Sequence, residues 1–436
     1  MDSFVAVGLC FGALLILIAI RMPISIALVS VSFFGIAFEK SWSAAVGSLS
    51  RLPFEMAANW EFSAAPMFLF MGFICAATGL TNGLFKASSI LLSRLPGSLA
   101  AASVFASALF AAASGSSVAT AAAMSRIAIP EMLKRGYDQG LACGTVAASG
   151  TLGSLIPPSI LLILYGIYAN VSIGKLFLAG VVPGVISAAI YILMISIRCK
   201  INPKLSGESV KIVSFEVNKW EIAKTILPLP IIIVLVMGSI FFGIATPTEA
   251  GAIGSTGAVA LAALQGRLSY TAFCGALIQT AESFASIFFI IIGGALLTRF
   301  IAITGITPQL LALFEQFNAG PLILICATAL VYILLGMFID SIGLLLLTVP
   351  IFLPLANALE MNLIWYGVIL IKLLEIGLIT PPIGLNIFVI KSTLGPQVKL
   401  PVIFRGICWF IFMDLLTLIL LVAVPALCLW LPNLLR

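Results

Sequence analysis

Histidine is absent from the 436 residues, and only 9% of them are charged. Without histidine the chain cannot build a His-ligated zinc, haem or facial-triad iron site, nor a Ser-His-Asp or Cys-His catalytic apparatus. No Gly-x-x-x-x-Gly-Lys-Ser/Thr stretch is present, so ATP is not hydrolysed by a phosphate-binding loop. Cysteine is sparse and unpaired in pattern. Cys10, Cys75, Cys143, Cys199, Cys274, Cys326, Cys408 and Cys428 stand singly, mostly inside apolar runs, as small core residues do. Paired catalytic carboxylates and metal-ligand clusters are missing too, so the chain reads as a non-enzyme without cofactor. What is abundant is apolar: 62% of the residues, with a mean hydropathy of +1.23. Soluble domains run roughly 45–50% apolar and about a quarter charged. The chain is therefore an all-α polytopic membrane protein, and its net charge of +6 reflects loop bias rather than a nucleic-acid surface.

The start, Met1-Asp2-Ser3-Phe4, has no basic leader, and the apolar run continues past Arg21, so the first spans are expected to be retained. A crossing needs about 20 apolar residues. The expected crossings are 4–20, 23–38, 62–80, 138–170 (interrupted), 175–198, 225–243, 247–264, 281–303, 363–394 (interrupted) and 402–432. Two more apolar stretches, between Pro96 and Pro130 and between Pro321 and Pro354, are too short for two crossings and a turn. The first is broken by Ser114-Gly115-Ser116-Ser117, the second by Asp340-Ser341. Each suits a re-entrant hairpin, which lipid tolerates only where protein or a wet cavity covers its turn. With both termini outside, about 15 of the 22 Lys and Arg fall on the cytoplasmic side against about five outside. The stretch from Arg198 to Lys224 is the expected cytoplasmic loop. Segments 39–60, with Trp42 and Trp60, and 265–280 read as helices lying along the interface.

An offset of 224 lays the chain on itself. Pro23 meets Pro247, Pro130 meets Pro354, Pro157-Pro158 meets Pro381-Pro382, Gly153 meets Gly377, Ser117 meets Ser341, and Lys175-Leu176 meets Lys399-Leu400. Each half carries five crossings, an odd number, so the halves must be inverted. Two inverted-topology repeats, each with a re-entrant hairpin and a broken helix, are the arrangement of secondary transporters.

A broken helix leaves bare carbonyls at one end and bare N–H groups at the other. The carbonyl ends suit Na⁺ and the N–H ends suit a carboxylate. The expected Na⁺ sites are Ser114, Gly115, Ser116, Ser117, Thr151 and Gly153 in the first half, and Asp340, Ser341, Gly377 and Thr380 in the second. The substrate would lie between them, against Ser117, Thr120, Ser154, Pro157, Pro158, Pro381, Pro382 and Arg126. Other roles compete. The serines and Thr120 can cap helices or allow close packing, and the prolines stop helices in any case. Asp340 is either an N-cap or a cation ligand. Arg126 either meets a substrate carboxylate or pairs with Glu131. Lys372 and Glu375, three apart, either form a mutual ion pair or hold the broken helix. Thr246-Pro247-Thr248-Glu249 has the form of a capping box.

Several stretches, in order, resemble the large (DctM-like) membrane subunit of TRAP (tripartite ATP-independent periplasmic) transporters. They are Ile129-Pro130-Glu131-Met132 with Lys134-Arg135-Gly136-Tyr137, Gly153-Ser154-Leu155-Ile156-Pro157-Pro158-Ser159, Ala245-Thr246-Pro247-Thr248-Glu249-Ala250, and Glu375 to Gly384. The resemblance runs from the first span to the last. It implies a multi-pass protein of the bacterial inner membrane that takes up an organic acid with Na⁺ as coupling ion, by an elevator motion. It also implies two partners, a periplasmic substrate-binding protein and a small membrane subunit. Because the chain opens on large-subunit spans, that small subunit is expected to be a separate polypeptide. An elevator divides the chain into a scaffold (1–61, 171–224, 225–280, 395–436) and a transport domain (62–170, with a hairpin at about 97–134, and 281–394, with a hairpin at about 321–356). The alternatives are a stand-alone ion-coupled dicarboxylate carrier and, from another class, a membrane-embedded enzyme or an assembly scaffold.

Overall fold

The computed structural model describes residues 3–434 apart from 82, 208–224 and 318–319. Most of the expected Arg198–Lys224 loop therefore lies outside the described residues. All regular secondary structure among the described residues is helical, without strands. Five helices are long and apolar enough to cross a membrane by length and composition.

The first half runs α1 (Ser3–Ala19), α2 (Ile24–Glu39), α3 (Trp42–Ala58), α4 (Ala64–Ala77), α5 (Leu84–Leu91), α6 (Ser98–Ser114), α7 (Ser117–Lys134), α8 (Gln139–Thr151), α9 (Ile160–Ala169) and α10 (Ile173–Ile201). The second runs α11 (Pro228–Phe241), α12 (Pro247–Leu264), α13 (Tyr270–Thr304), α14 (Ile306–Gln316), α15 (Pro321–Gly336), α16 (Ser341–Ala358), α17 (Leu363–Ile379), α18 (Leu385–Leu394) and α19 (Leu400–Ala423). Adding 224 to α7 gives the bounds of α16, and the other pairs agree within a few residues. The hairpins are α6–α7 and α15–α16. The broken helices are α8/α9 and α17/α18. The capping box is present: the Thr246 N–H donates to Glu249 Oε2 at 2.7 Å, with Pro247 in the first turn of α12.

The halves differ at one place. In the first, Asn59 accepts the Glu61 N–H at 2.9 Å and separates α3 from α4. In the second, the expected interfacial segment 265–280 and the crossing 281–303 are one continuous 35-residue helix, α13. The break falls at Asn59, whose backbone is extended and whose side chain caps the short 3₁₀ turn Trp60–Ser63 that runs into α4; its counterpart, Ser283, lies inside α13. The last crossing is also shorter than expected, because α19 ends at Ala423, just before Pro425.

The two halves pack across each other. Helix α2 lies along α13 and, symmetrically, α12 along α4. The stretches 62–80 and 281–303 thus interlock with α2 and α12. Helices α10 and α19 pack on the broken helices, α19 along α8 and α17. The closest approach is backbone on backbone. Gly140 and Gly144, one turn apart, meet Gly406, and a Cβ on Gly144 would sit 2.8 Å from the Gly406 backbone. Small residues at such spacing let membrane helices touch.

Gly406→Val is expected to lower the thermal stability of the purified protein by at least about 1–3 kcal/mol through overpacking. Gly12→Val, where nothing stands within 4 Å, serves as the control. Equal thermal midpoints for the two variants would refute the role given to this crossing.

Candidate functional site

At the first hairpin tip, α6 ends at Ser114 and Gly115 reverses the chain with a φ of +60°. Ser116 then caps α7, accepting the Ala119 N–H at 3.4 Å. Thr120 Oγ1 donates to the Ser116 carbonyl at 2.8 Å and lies 3.1 Å from Ser114 Oγ. The tip abuts the break of its own half. Ser117 Oγ is 2.7 Å from Ser154 Oγ, and a Cβ on Gly115 would stand 3.4 Å from the Pro158 carbonyl oxygen. Gly153 packs on Ala111, and Thr151 Oγ1 donates to the Ala148 carbonyl at 2.7 Å.

The second tip repeats this plan with an acid in place of a serine, since Asp340 stands at Ser116 plus 224. Asp340 Oδ2 accepts the N–H groups of Ile342 and Gly343 at 3.1 and 3.0 Å. Its role as an N-cap is thus visible, and it also faces the cavity described below. Gly336 on the outgoing arm touches Gly377, where an added Cβ would meet the Gly377 Cα at 2.9 Å. Thr380 Oγ1 donates to the Ile376 carbonyl. Both Pro157-Pro158 and Pro381-Pro382 bonds are cis.

Between the tips and a wall formed by α4 and α13 lies a cavity of about 460 Å³. The first tip contributes Ser114, Gly115, Ser116 and Ser117, its break contributes Ser154, and the second tip contributes Asp340 and Ser341. From α13 come Gln279 and Ser283, one turn apart. Asp340 is the only charged residue among those lining it. Thr120, Thr151, Gly153, Gly377, Thr380 and the two Pro-Pro pairs are not on its surface. Arg126 is exposed on α7, nine residues or about 13 Å along the helix from Ser117. It is not among the residues lining the cavity, and Glu131 pairs with Arg135 at 3.0 Å.

A second polar centre sits one turn before the α17 break. Lys372, Glu375 and Asp414 are each 0% exposed. The Lys372 ammonium is 2.6 Å from Asp414 Oδ1, 3.2 Å from Glu375 Oε2 and 3.2 Å from Ser187 Oγ. The Tyr191 hydroxyl donates to Asp414 Oδ1 at 2.5 Å. The ion pair expected between Lys372 and Glu375 is present, and Asp414 binds the ammonium at shorter range.

The family model for the DctM component of the tripartite ATP-independent periplasmic transporter matches residues 11–427. The chain belongs to this family. It is 33% identical over 393 residues to the C4-dicarboxylate TRAP transporter large permease DctM of Pseudomonas aeruginosa, covering 89% of this chain and 90% of that one. It is 30% identical over 434 residues to the sialic acid TRAP transporter large permease SiaM of Vibrio cholerae, covering 98% of both. The isethionate TRAP transporter permease DctMQ of Oleidesulfovibrio alaskensis is 28% identical over 393 residues, which are 89% of this chain and 61% of that one. A crystal structure of the Alcanivorax borkumensis YdaH transporter shares the fold, with a TM-score of 0.62 at 16% identity, covering 88% of this chain and 86% of that one.

Sequence reasoning about this DctM-family chain missed Asp414, Tyr191, Ser187, Gln279 and Ser283. Asp414 carried a signal, being the only acid in the apolar run 402–432, where an ionisable residue is a site candidate by default. Gln279 and Ser283 fell on the border between a supposed interfacial segment and a supposed crossing, which hid their shared face.

Lys372→Met is expected to leave two buried carboxylates uncompensated and to lower unfolding free energy by about 3–5 kcal/mol. Lys372→Met with Asp414→Leu and Glu375→Leu together should recover most of that loss. Thermal unfolding of the purified variants measures both. A single variant as stable as the parent would refute the assignment.

Proposed function

We propose that the chain is the Na⁺-coupled permease of a bacterial inner-membrane uptake system for an organic acid. The acid is handed over by a periplasmic binding protein, and a small membrane subunit braces the permease. The observation that carries this reading is the cavity's charge. An anion placed between the tips finds serine hydroxyls and Gln279, no lysine or arginine, and the Asp340 carboxylate. Like charges in a poorly solvated site repel strongly, and burying them unpaired is expensive. Bound cations relieve that repulsion, and the helix breaks beside the tips hold the carbonyls that favour them. Relatives named for C4-dicarboxylate, sialic acid and isethionate transport all handle organic anions.

The packing also supports a division into two bodies for an elevator motion. The moving body comprises the two hairpins, the two broken helices and the α10 and α19 helices packed on them. The fixed body comprises α1–α4 and α11–α13. The cavity lies where the two bodies meet, so displacement of one would carry a ligand held at the tips past the α4/α13 wall.

Reconstitution with the binding protein and the small subunit in proteoliposomes should give uptake that follows an imposed inward Na⁺ gradient. Asp340→Asn should reduce the Hill slope for Na⁺, because one negative charge fewer needs one cation fewer. Uptake that persists unchanged after the gradient is collapsed would overturn the coupling. An unaltered Hill slope in Asp340→Asn would overturn the charge argument.

A further inference from the structure

The buried ionic cluster touches more than the helix that bears it. Lys372 and Glu375 belong to α17, Asp414 to α19, and Ser187 and Tyr191 to α10. Helix α10, which carries Ser187 and Tyr191, packs on the first half's break: an added Cβ on Gly184 would stand 2.6 Å from the Ile156 side chain, and one on Gly180 would meet the Leu155 carbonyl oxygen. Leu155 and Ile156 belong to the interruption of the first half. Glu375 stands five residues before the interruption of the second half, which opens at Thr380. The helices that carry this buried network therefore pack on one interruption and lead into the other, 224 positions apart in sequence.

Its polar atoms are unevenly used. Glu375 Oε1 and Asp414 Oδ2 are buried without a hydrogen-bond partner, whereas Asp414 Oδ1 takes two donors. Among the described residues this is the only buried ion cluster, since the remaining pair, Glu131–Arg135, is solvent-facing. A buried ammonium separated from its carboxylates is strongly unfavourable, so α17 cannot turn about its axis without carrying the network along. The carbonyls at its C-terminal end turn with it. Such a rigid element, touched from two sites, is a physical carrier of coupling.

We propose that the Lys372–Glu375–Asp414–Tyr191 network couples the two breaks, so that a cation held at one fixes the carbonyl geometry at the other. This rests on the reading of both breaks as Na⁺ sites. Glu375 and Tyr191 are thus positioning residues that act on cation binding without touching the cation.

The test is a Na⁺ titration of uptake in proteoliposomes holding the whole complex, paired with a Na⁺-dependent thermal shift of the purified chain. Tyr191→Phe and Glu375→Gln should raise the half-saturating Na⁺ concentration within the five- to 150-fold range usual for site coupling. Both should bring the Hill slope down towards one. Glu375→Asp should recover part of each change. A role confined to fold stability would lower the thermal midpoint and leave the half-saturation and the slope where they were, which overturns the proposal. If Glu375→Gln does not fold, Tyr191→Phe decides alone. A wild-type complex without Na⁺ dependence would instead overturn the transport reading, whereas cooperative wild-type binding kept intact in the variants overturns only the coupling.

Discussion

Every peptide group placed in lipid has to find its hydrogen-bond partner within the protein. Four interruptions of the α-helices, at 115–116, 152–159, 337–340 and 380–384, leave some backbone groups outside the helical hydrogen-bond ladder. The fold answers by setting interruptions against each other. The Gly115 turn lies on the Pro158 carbonyl, and Gly336 lies on Gly377. Side chains close what remains: Ser116 and Asp340 cap the returning arms, and Asp138 and Asn362 cap the helices that lead into the breaks. Links between halves then lock the pairs together. The Asn386 amide of α18 donates to the Ala147 carbonyl of α8, and the Tyr165 hydroxyl of α9 donates to the Leu363 carbonyl of α17.

Charge follows the same economy. Apart from Asp340, the carboxylates of the hairpin and broken-helix region that lie in apolar surroundings are gathered on one lysine. That gathering leaves the cavity with a single acid and no base among its lining residues. An anion placed there would meet one carboxylate and no cationic side chain.

Features that act along the chain were legible in the sequence. Proline and glycine punctuate helices locally, so the hairpin limits, both breaks and the Thr246 capping box could be read from residue order. The offset of 224 exposed the duplication because paired prolines resist drift in register. Features that act across the chain were not. Asp414 lies 42 residues from Lys372, and Tyr191 lies 223 from Asp414. In lipid both faces of a helix are apolar, so hydropathy does not tell which helix it packs on. Residue order therefore did not show that α19 packs along α8 and α17, or that Arg126 stands on an exposed face of α7 outside the cavity lining.

The one break in symmetry bears on the site as well. Where the first half breaks at Asn59, α13 runs unbroken for 35 residues, about 52 Å at 1.5 Å per residue. That exceeds the roughly 30 Å hydrocarbon thickness, so the helix has to tilt or project beyond it. Its counterpart α4 offers the cavity Leu69, Gly72, Phe73 and Ala76, an apolar surface, while α13 offers Gln279 and Ser283. Two inverted halves would otherwise present matching walls. Because the interfacial segment and the crossing are one helix in the second half alone, the cavity wall carries polar side chains from α13 and none from α4.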